Sequence, residues 1–186
     1  RQKLRLLHIA EILRGGGLLA HDTATLPGIA AVPKHSAAVA RLCRFKQRSG
    51  PFVLLADSMH SALRPLIHLP CSLRKAMQQT WPGPTTFIIN SRTDGFPGIA
   101  GACFSGRSLA LRVDADPACR YLARLCGGLL ISSSLNRRNQ AVQAPNRTLR
   151  IRWHRHFDAQ FATRAGSGRA SRLLKLKGSA LLELRS

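Results

Sequence analysis

Apolar positions along the chain switch between a helical and a strand period. Leu6, Ile9, Ala10 and Leu13 share one helical face, which the Gly15-Gly16-Gly17 run closes. A short apolar strand follows over 18–20. Val39, Leu42 and Cys43 then mark a second helix that Ser36 is placed to cap. The unbroken apolar run over 52–56 predicts a strand buried on both faces. Ser72 is placed to cap a helix ending near Trp81-Pro82-Gly83-Pro84, before a strand over 85–90 and a Gly-rich loop over 95–106. Over 108–113, Leu109, Leu111 and Val113 alternate as on one face of a strand. Asp116-Pro117 is a good helix start, an N-cap followed by Pro at the first helical position. That helix carries Tyr121, Leu122 and Leu125 and ends at Gly127-Gly128, and a strand over 129–133 opens into Ser134-Leu135-Asn136. The chain becomes basic and irregular over 146–170. Two short strands close it, over 173–175 and 181–185, with a turn at Lys177-Gly178. The order reads as one α/β domain over 1–186, a twisted mixed sheet flanked by helices.

Charge adds a partner class to this picture and removes some chemistries. Of 186 residues, 29 are Lys or Arg and 8 are Asp or Glu, for a net charge of +21 at pH 7. Arg supplies 23 of the 29, and its planar fork suits phosphate oxygens. A polyanionic partner bound in a salt-sensitive way is one explanation; a composition bias spread along the chain is the other. So few carboxylates do not build two-metal or glycosidase sites. The 45% apolar fraction belongs to a globular chain, not a disordered basic tail. No run approaches the roughly 18 apolar residues of a membrane span, and the first residues are too charged for a signal peptide. The five Cys form no C-x-x-C pair and have no His at zinc-finger spacing. Cys43 and Cys126 fall on apolar helical patterns, which predicts buried free thiols in a reducing, cytoplasmic setting. His154 and His156 alternate on a strand or loop without a third ligand, a surface pair rather than a metal site.

Polar residues gather at the strand ends and the loops beside them. Thr23 and Thr25 follow the first strand, Lys46 and Arg48 the second helix, and Arg112 ends an otherwise apolar strand. Ser132, Ser133, Ser134 and Asn136 crowd the end of another. In open α/β sheets ligands sit at the carboxyl ends of strands, and hydroxyls with Lys and Arg describe a positively charged cleft for phosphate or carboxylate. Taken one at a time, Ser and Thr at such positions are more often caps and turn formers.

The order of these segments resembles the YrdC-like family of threonylcarbamoyl-AMP synthases. D-T-A-T-L-P-G-I-A at 22–30 is similar to its P-T-x-T-x-Y-G-L, K-Q-R at 46–48 to its K-x-R, and W-P-G-P-T-T-F at 81–87 to its W-P-G-P-x-T. S-L-A-L-R-V at 108–113 resembles its strand with a terminal Arg, and S-S-S-L-N at 132–136 its S-x-S-A-N. G-R-A-S-R at 168–172 and L-E-L-R at 182–185 look like its C-terminal R-P-S-T and I-L-R. The likeness covers nearly the whole chain in order. In the first loop the chain carries Asp22, Ala24 and Pro27 where the family has Pro, an acidic or small residue, and an aromatic.

The resemblance implies a YrdC-like fold and an enzyme that condenses L-threonine, bicarbonate and ATP to threonylcarbamoyl-adenylate, releasing pyrophosphate. It implies that Thr25, Arg112, Ser132 and Ser171 hold threonine. Lys46, Arg48, Ser108, Ser134, Asn136 and Arg185 would hold ATP, with Lys46 and Arg48 catalytic. No metal is held by the protein itself; Mg²⁺ would come through the phosphates. A carboxylate-poor site is expected. The product would serve N6-threonylcarbamoyladenosine formation in tRNA through downstream threonylcarbamoyl transferase proteins, with tRNA or double-stranded RNA as a further partner and no membrane. Two alternatives stay open: a non-catalytic YrdC-like paralogue that binds nucleotide or RNA, and a plain basic RNA-binding module. The module would need aromatic stacking platforms, and the aromatic fraction is only 5%.

Overall fold

The computed structural model describes residues 1–64, 66, 69–90, 96–162, 166–177 and 180–185, with the side chains of 149 and 150 excepted. Gly95 of the Gly-rich loop and Gly178 of the final turn lie outside the described residues. The elements run α1 (Gln2–Arg14), β1 (Leu19–His21), β2 (Gly28–Ala31), α2 (Ser36–Lys46), β3 (Val53–Ala56), α3 (Met59–Leu63), α4 (Cys71–Thr80) and β4 (Thr85–Asn90). They continue with β5 (Phe104–Ser105), β6 (Ser108–Val113), α5 (Pro117–Leu125), β7 (Leu129–Ser134), α6 (Arg147–Arg152), β8 (Ala159–Phe161), β9 (Arg172–Lys177) and β10 (Ala180–Arg185).

All the strands belong to one mixed sheet in the order β10-β9-β4-β6-β3-β7-β2-β1-β8, with β5 appended to β6. β3 is parallel to β6 and antiparallel to β7, while β4 runs antiparallel to β6 and parallel to β9. Helices cover both faces. On one side Leu42, Phe45, Ala62, Leu73, Met77 and Trp81 pack on Ile29, Leu54, Leu109, Leu111 and Ile131. On the other, Leu6, Ile9, Leu13 and Leu122 of α1 and α5 pack on Leu19, Ala30, Leu130 and Phe161. A strand covered on both faces needs apolar residues at every position, which explains the unbroken runs in β3 and at the start of β7.

Asp116 caps α5 as expected: its carboxylate accepts from Ala118 N at 2.7 Å, with Pro117 at the first helical position. The other two expected caps are corrected. Ser36 is already the first residue of α2, and His35 takes the cap through its ring nitrogen, accepting from Ala38 N. Ser72 lies inside α4, whose N-cap is Pro70 without a side-chain bond. Nor are Cys43 and Cys126 the buried thiols. Both are half-buried, on α2 and just past α5, whereas Cys103 and Cys119 are buried; all five are free.

The segment over 146–170 is not irregular throughout. It contains α6 and β8, and β8 pairs in parallel with β1 at the sheet edge, where Phe161 enters the α1–α5 core beneath the Arg5 guanidinium. Three strand residues are too few to show a period. His154 and His156 fall in the turn between α6 and β8. Among the described residues no helix is long and apolar enough to cross a membrane.

Candidate active site

β6 and β7 run antiparallel on either side of β3, so their carboxyl ends lie at opposite ends of the strands and the site is not built from strand ends alone. Arg112 and Ser132 share one face of the sheet, level with Leu55 and Val53 of β3. In register, Gly28 of β2 lies opposite Ser134, and Thr85 of β4, close to the carboxyl end of β6, lies opposite Arg172. A cavity of about 160 Å³ opens there, lined by Thr25, Arg48, Arg112, Ser132, Ser133, Ser134, Ser171 and Arg185 among others. No described residue lining it is a carboxylate. A larger cavity of about 750 Å³ lies behind the first loop, between α1 and the start of α5. Its walls mix apolar residues (Leu6, Ala24, Pro117, Ala118) with Gln2, Lys3, Asp116, Tyr121 and Ser167, and the Asp116 carboxylate is engaged as the cap of α5.

Arg112 sits at the bottom of the small cavity, 5% exposed, and burial pushes its pKa down against the pull of Asp114. Its Nη1 donates to Thr25 Oγ1 at 2.8 Å, and its Nη2 faces Asp114 Oδ2 at 2.6 Å, an ion pair by distance though not an aligned hydrogen bond. Its Nε is buried with no partner. Thr23 Oγ1 donates to Leu26 O, so in its 3.0 Å contact with Thr25 Oγ1 the proton belongs to Thr25. Thr25 therefore turns acceptor capacity, not a donor, toward the cavity.

Lys46 reaches the end of β7 from α2. Its Nζ donates to Ser134 O and Asn136 O, each at 2.6 Å, and to Asn136 Oδ1 at 2.7 Å. Burial, and then the charge of Arg48, lower its pKa to about 8. Arg48 is exposed, stacked over Phe52 at 4.8 Å, with Nη2 donating to Ser133 Oγ. Arg185 of β10 donates through Nε and Nη2 to Ser171 O, and Ser171 Oγ bonds Thr86 Oγ1 at 2.9 Å. Seven of the ten residues singled out in the sequence thus line one cavity, with Lys46 and Asn136 bonded to its rim. Ser108 stands apart: it opens β6, four residues and about 13 Å of strand from Arg112, and its hydroxyl donates to Asn90 Oδ1.

The residue that sequence reasoning missed is Asp114, a single carboxylate behind a lining that is otherwise free of them among the described residues. Asp114 is fully buried behind the cavity; besides Arg112, its Oδ1 accepts from Ala24 N at 3.0 Å and Asp116 N at 2.9 Å. It ties the first loop, the end of β6 and the start of α5 together. Two carboxylates before Pro117 were the available signal, since only one of them can cap α5. A strap over 166–168 closes the loop from outside, with Ser167 N and Gly168 N donating to Ala24 O and Thr25 O. A Cβ on Gly166 would fall 2.3 Å from Thr23 O, so only glycine fits there.

Behind the same loop His21 is buried, its Nδ1 3.5 Å from Cys119 Sγ and its Nε2 without a partner. Burial lowers its pKa to about 4, an effect that the nearby Asp114 charge only partly offsets. The unfolded chain therefore binds the extra proton first. Stability is complete above pH 6.5 and is lost as pH falls toward 4, by about 3 kcal/mol. Urea midpoints at the two pH values, compared with those of His21→Asn, measure it; an equal acid loss in the variant would assign the effect elsewhere.

Among the described residues no cluster of three His, Cys, Asp or Glu is placed to hold a metal ion. The family model described as Telomere recombination, that of the Sua5, YciO and YrdC proteins, matches residues 11–185. The threonylcarbamoyl-AMP synthase of Nitrosococcus oceani is 36% identical over 130 residues, 69% of either chain. That of Halorhodospira halophila is 36% identical over 136 residues, 71% of this chain and 69% of its own. Among solved structures, P. abyssi Sua5 complexed with L-threonine has a TM-score of 0.81 at 19% identity, covering 98% of this chain and 54% of that one. The chain thus spans about half the length of that protein. E. coli YciO has a TM-score of 0.81 at 19% identity, over 100% of this chain and 89% of its own. These structures share the fold of helices about a mixed sheet. On the match over 11–185 and the identity to these synthases, the chain belongs to the Sua5/YciO/YrdC family.

Proposed function

We propose that this chain is a threonylcarbamoyl-AMP synthase, condensing L-threonine, bicarbonate and ATP into threonylcarbamoyl-adenylate with release of pyrophosphate. The observation that carries the reading is the small cavity where Thr25, Arg112, Ser132 and Ser171 converge beside Arg48 and Arg185. Its volume of about 160 Å³ equals roughly five waters, which suits an amino acid and leaves a nucleotide to extend over the rim. The Arg112 guanidinium at the cavity wall suits a carboxylate, and the acceptor on Thr25 suits the amino acid's nitrogen. Ser132 and Ser171 close on its side chain. Lys46, Arg48, Ser134, Asn136 and Arg185 take phosphates and ribose, and Ser108 lies farther along β6.

Threonine nitrogen adds to bicarbonate carbon and water departs, giving a carbamate. A carbamate oxygen attacks the α-phosphorus; the bond to the bridging oxygen breaks, and pyrophosphate leaves with that electron pair. The substrate provides the nucleophile, so the protein supplies position and positive charge. The lining offers cations and hydroxyls, so Mg²⁺ would be held by the triphosphate and neutralise its charge. Bacterial relatives named for this activity support the reading. The product would pass to threonylcarbamoyl transferase proteins that modify tRNA to N6-threonylcarbamoyladenosine.

A second reading, a paralogue that binds nucleotide without making the adenylate, draws on one observation. Asp114 already stands against Arg112 in the free chain, which lessens the pull on a substrate carboxylate. Pyrophosphate release separates the two. Under the first reading it requires threonine and bicarbonate together with ATP; ATP binding without that dependence favours the paralogue. In the same assay kcat/KM, which reports the free enzyme, is expected to fall above pH 8 as Lys46 loses its proton.

A further inference from the structure

His21 stands where the helix-covered face of the sheet gives way to the small cavity. On β1 it lies in register opposite Gly28 of β2, which lies opposite Ser134 of β7. Side chains two apart on a strand share a face. His21, Gly28 and Ser132 therefore belong to the face that α1 and α5 cover at Leu19, Ala30 and Leu130. Past those residues the cover ends: Gly28 and Ser132 line the cavity, and His21 backs Gly28. A Cβ on Gly28 would fall 3.0 Å from Ser132 Oγ and 3.2 Å from His21 Nε2, so the two polar atoms flank the bare Cα from either side.

The hydrogen bonds around the imidazole fix which nitrogen is bare. Cys119 Sγ donates to Asp22 O at 3.3 Å, so its proton is used. Toward His21 Nδ1, 3.5 Å away, it offers only a sulfur lone pair. The ring proton therefore sits on Nδ1, and Nε2 is an acceptor. Burial, which lowers the pKa of His21 to about 4, keeps the ring neutral. Nε2 is buried and meets no donor among the described residues. Its desolvation is already borne by the fold, so a donor that reaches it gains a hydrogen bond at little further cost. The cavity approaches it at Gly28. In the amino acid proposed for this cavity, Arg112 meets the carboxylate and Thr25 the nitrogen; the remaining donor is the side-chain hydroxyl.

We propose that His21 determines specificity: its Nε2 accepts a hydrogen bond from the side-chain hydroxyl of the amino acid, over Gly28 and beside Ser132. This role rests on the reading of the small cavity as an amino-acid site. Valine, with a methyl group in place of the hydroxyl, fills nearly the same volume and leaves Nε2 unmet. Gly28 permits the contact, because any side chain there would stand between the imidazole and the ligand.

Two measurements test the role: calorimetric titration of the full chain with threonine and with valine, and pyrophosphate release with each amino acid at saturating ATP and bicarbonate. The wild-type chain is expected to favour threonine by about tenfold to a hundredfold in both Kd and kcat/KM. His21→Phe keeps a ring without an acceptor and is expected to bring that preference below about threefold, through loss of threonine affinity. His21→Gln, whose Oε1 can stand in for Nε2, should retain part of it. Gly28→Ala leaves the imidazole in place but covers it, and should lower the preference likewise. A purely structural His21 would weaken both amino acids alike, so an unchanged ratio in His21→Phe and Gly28→Ala overturns the proposal. A wild-type chain that binds the two equally, or binds neither, overturns it as well. Threonine binding with the expected preference but without pyrophosphate release would uphold the His21 contact and defeat the synthase reading instead. Nitrogen NMR of the unaltered chain needs no variant to fold: the Nε2 resonance should move upfield with threonine and stay in place with valine. No movement with threonine bound overturns the contact.

Discussion

An Asp114→Ala chain is expected to lose about 3–5 kcal/mol of stability, the usual cost of removing one partner from a buried ion pair. Arg112 would remain 5% exposed with no counter-ion, and the N–H groups of Ala24 and Asp116 would lose their acceptor. The loss appears as a lowered urea midpoint. Asp114→Asn keeps an oxygen for both backbone donors and removes only the charge, so it divides the two causes. If the ion pair dominates, Asn is nearly as damaging as Ala; if the backbone tie dominates, Asn retains most of the stability. A loss below about 1 kcal/mol in the alanine variant would mean that water reaches Arg112 and replaces the carboxylate. The same pair bears on function. With its carboxylate neighbour made neutral, Arg112 has more charge to offer a ligand. Asp114→Asn should therefore tighten binding of an amino-acid carboxylate wherever the fold survives.

The central strands were legible because burial on both faces forces apolar residues at every position. The 52–56 run became β3, and the Leu109–Leu111–Val113 alternation became the core-facing side of β6. The site was legible for a related reason. Polar side chains at the end of a buried strand, such as Arg112 and Ser132, are costly there unless something meets them. Their convergence with Lys46 and Arg48 follows from the α/β arrangement. The carboxyl-end rule does not locate the cavity, however: in this mixed sheet β6 and β7 run in opposite directions beside β3, and Arg112 and Ser132 meet across one face of the sheet.

What the chain concealed is mostly non-local. Asp114 sits in V-D-A-D-P, where a carboxylate reads as turn chemistry, and its partner Ala24 is 90 residues away. β2 begins at Gly28, inside the segment whose Thr and Pro residues describe a loop, and is fixed by pairing with β7 and β1 on either side. His35 displaced Ser36 as the cap because its ring nitrogen reaches the same class of backbone donor one residue earlier. The positive charge was evident from composition, but its division was not. Lys46, the last residue of α2, bonds the rim of one cavity, and Arg48, just past the left-handed Gln47 cap, lines it. Arg41 and Arg44 of α2 line another, since successive positions on a helix point about 100° apart and the cap turns the chain after Lys46.

Arg48 carries the largest expected effect on rate. It stands at the cavity mouth, held by the face of Phe52 and by Ser133 Oγ, where the phosphates of an ATP extending from the cavity would pass. Attack on the α-phosphorus moves negative charge onto the phosphate oxygens and the departing pyrophosphate, and a preset guanidinium meets it without reorganising. Arg48→Ala is therefore expected to lower kcat about a hundredfold or more. Because the side chain is exposed, the urea midpoint should shift by no more than about 1 kcal/mol, the worth of its stacking on Phe52. Arg48→Lys keeps the charge but loses the planar fork, and should recover only part of the rate. The division between constants identifies the role. A fall in kcat at nearly constant KM for ATP means that Arg48 acts on charge that develops during reaction; a raised KM with kcat intact means that it only holds the bound nucleotide, and the catalytic assignment fails.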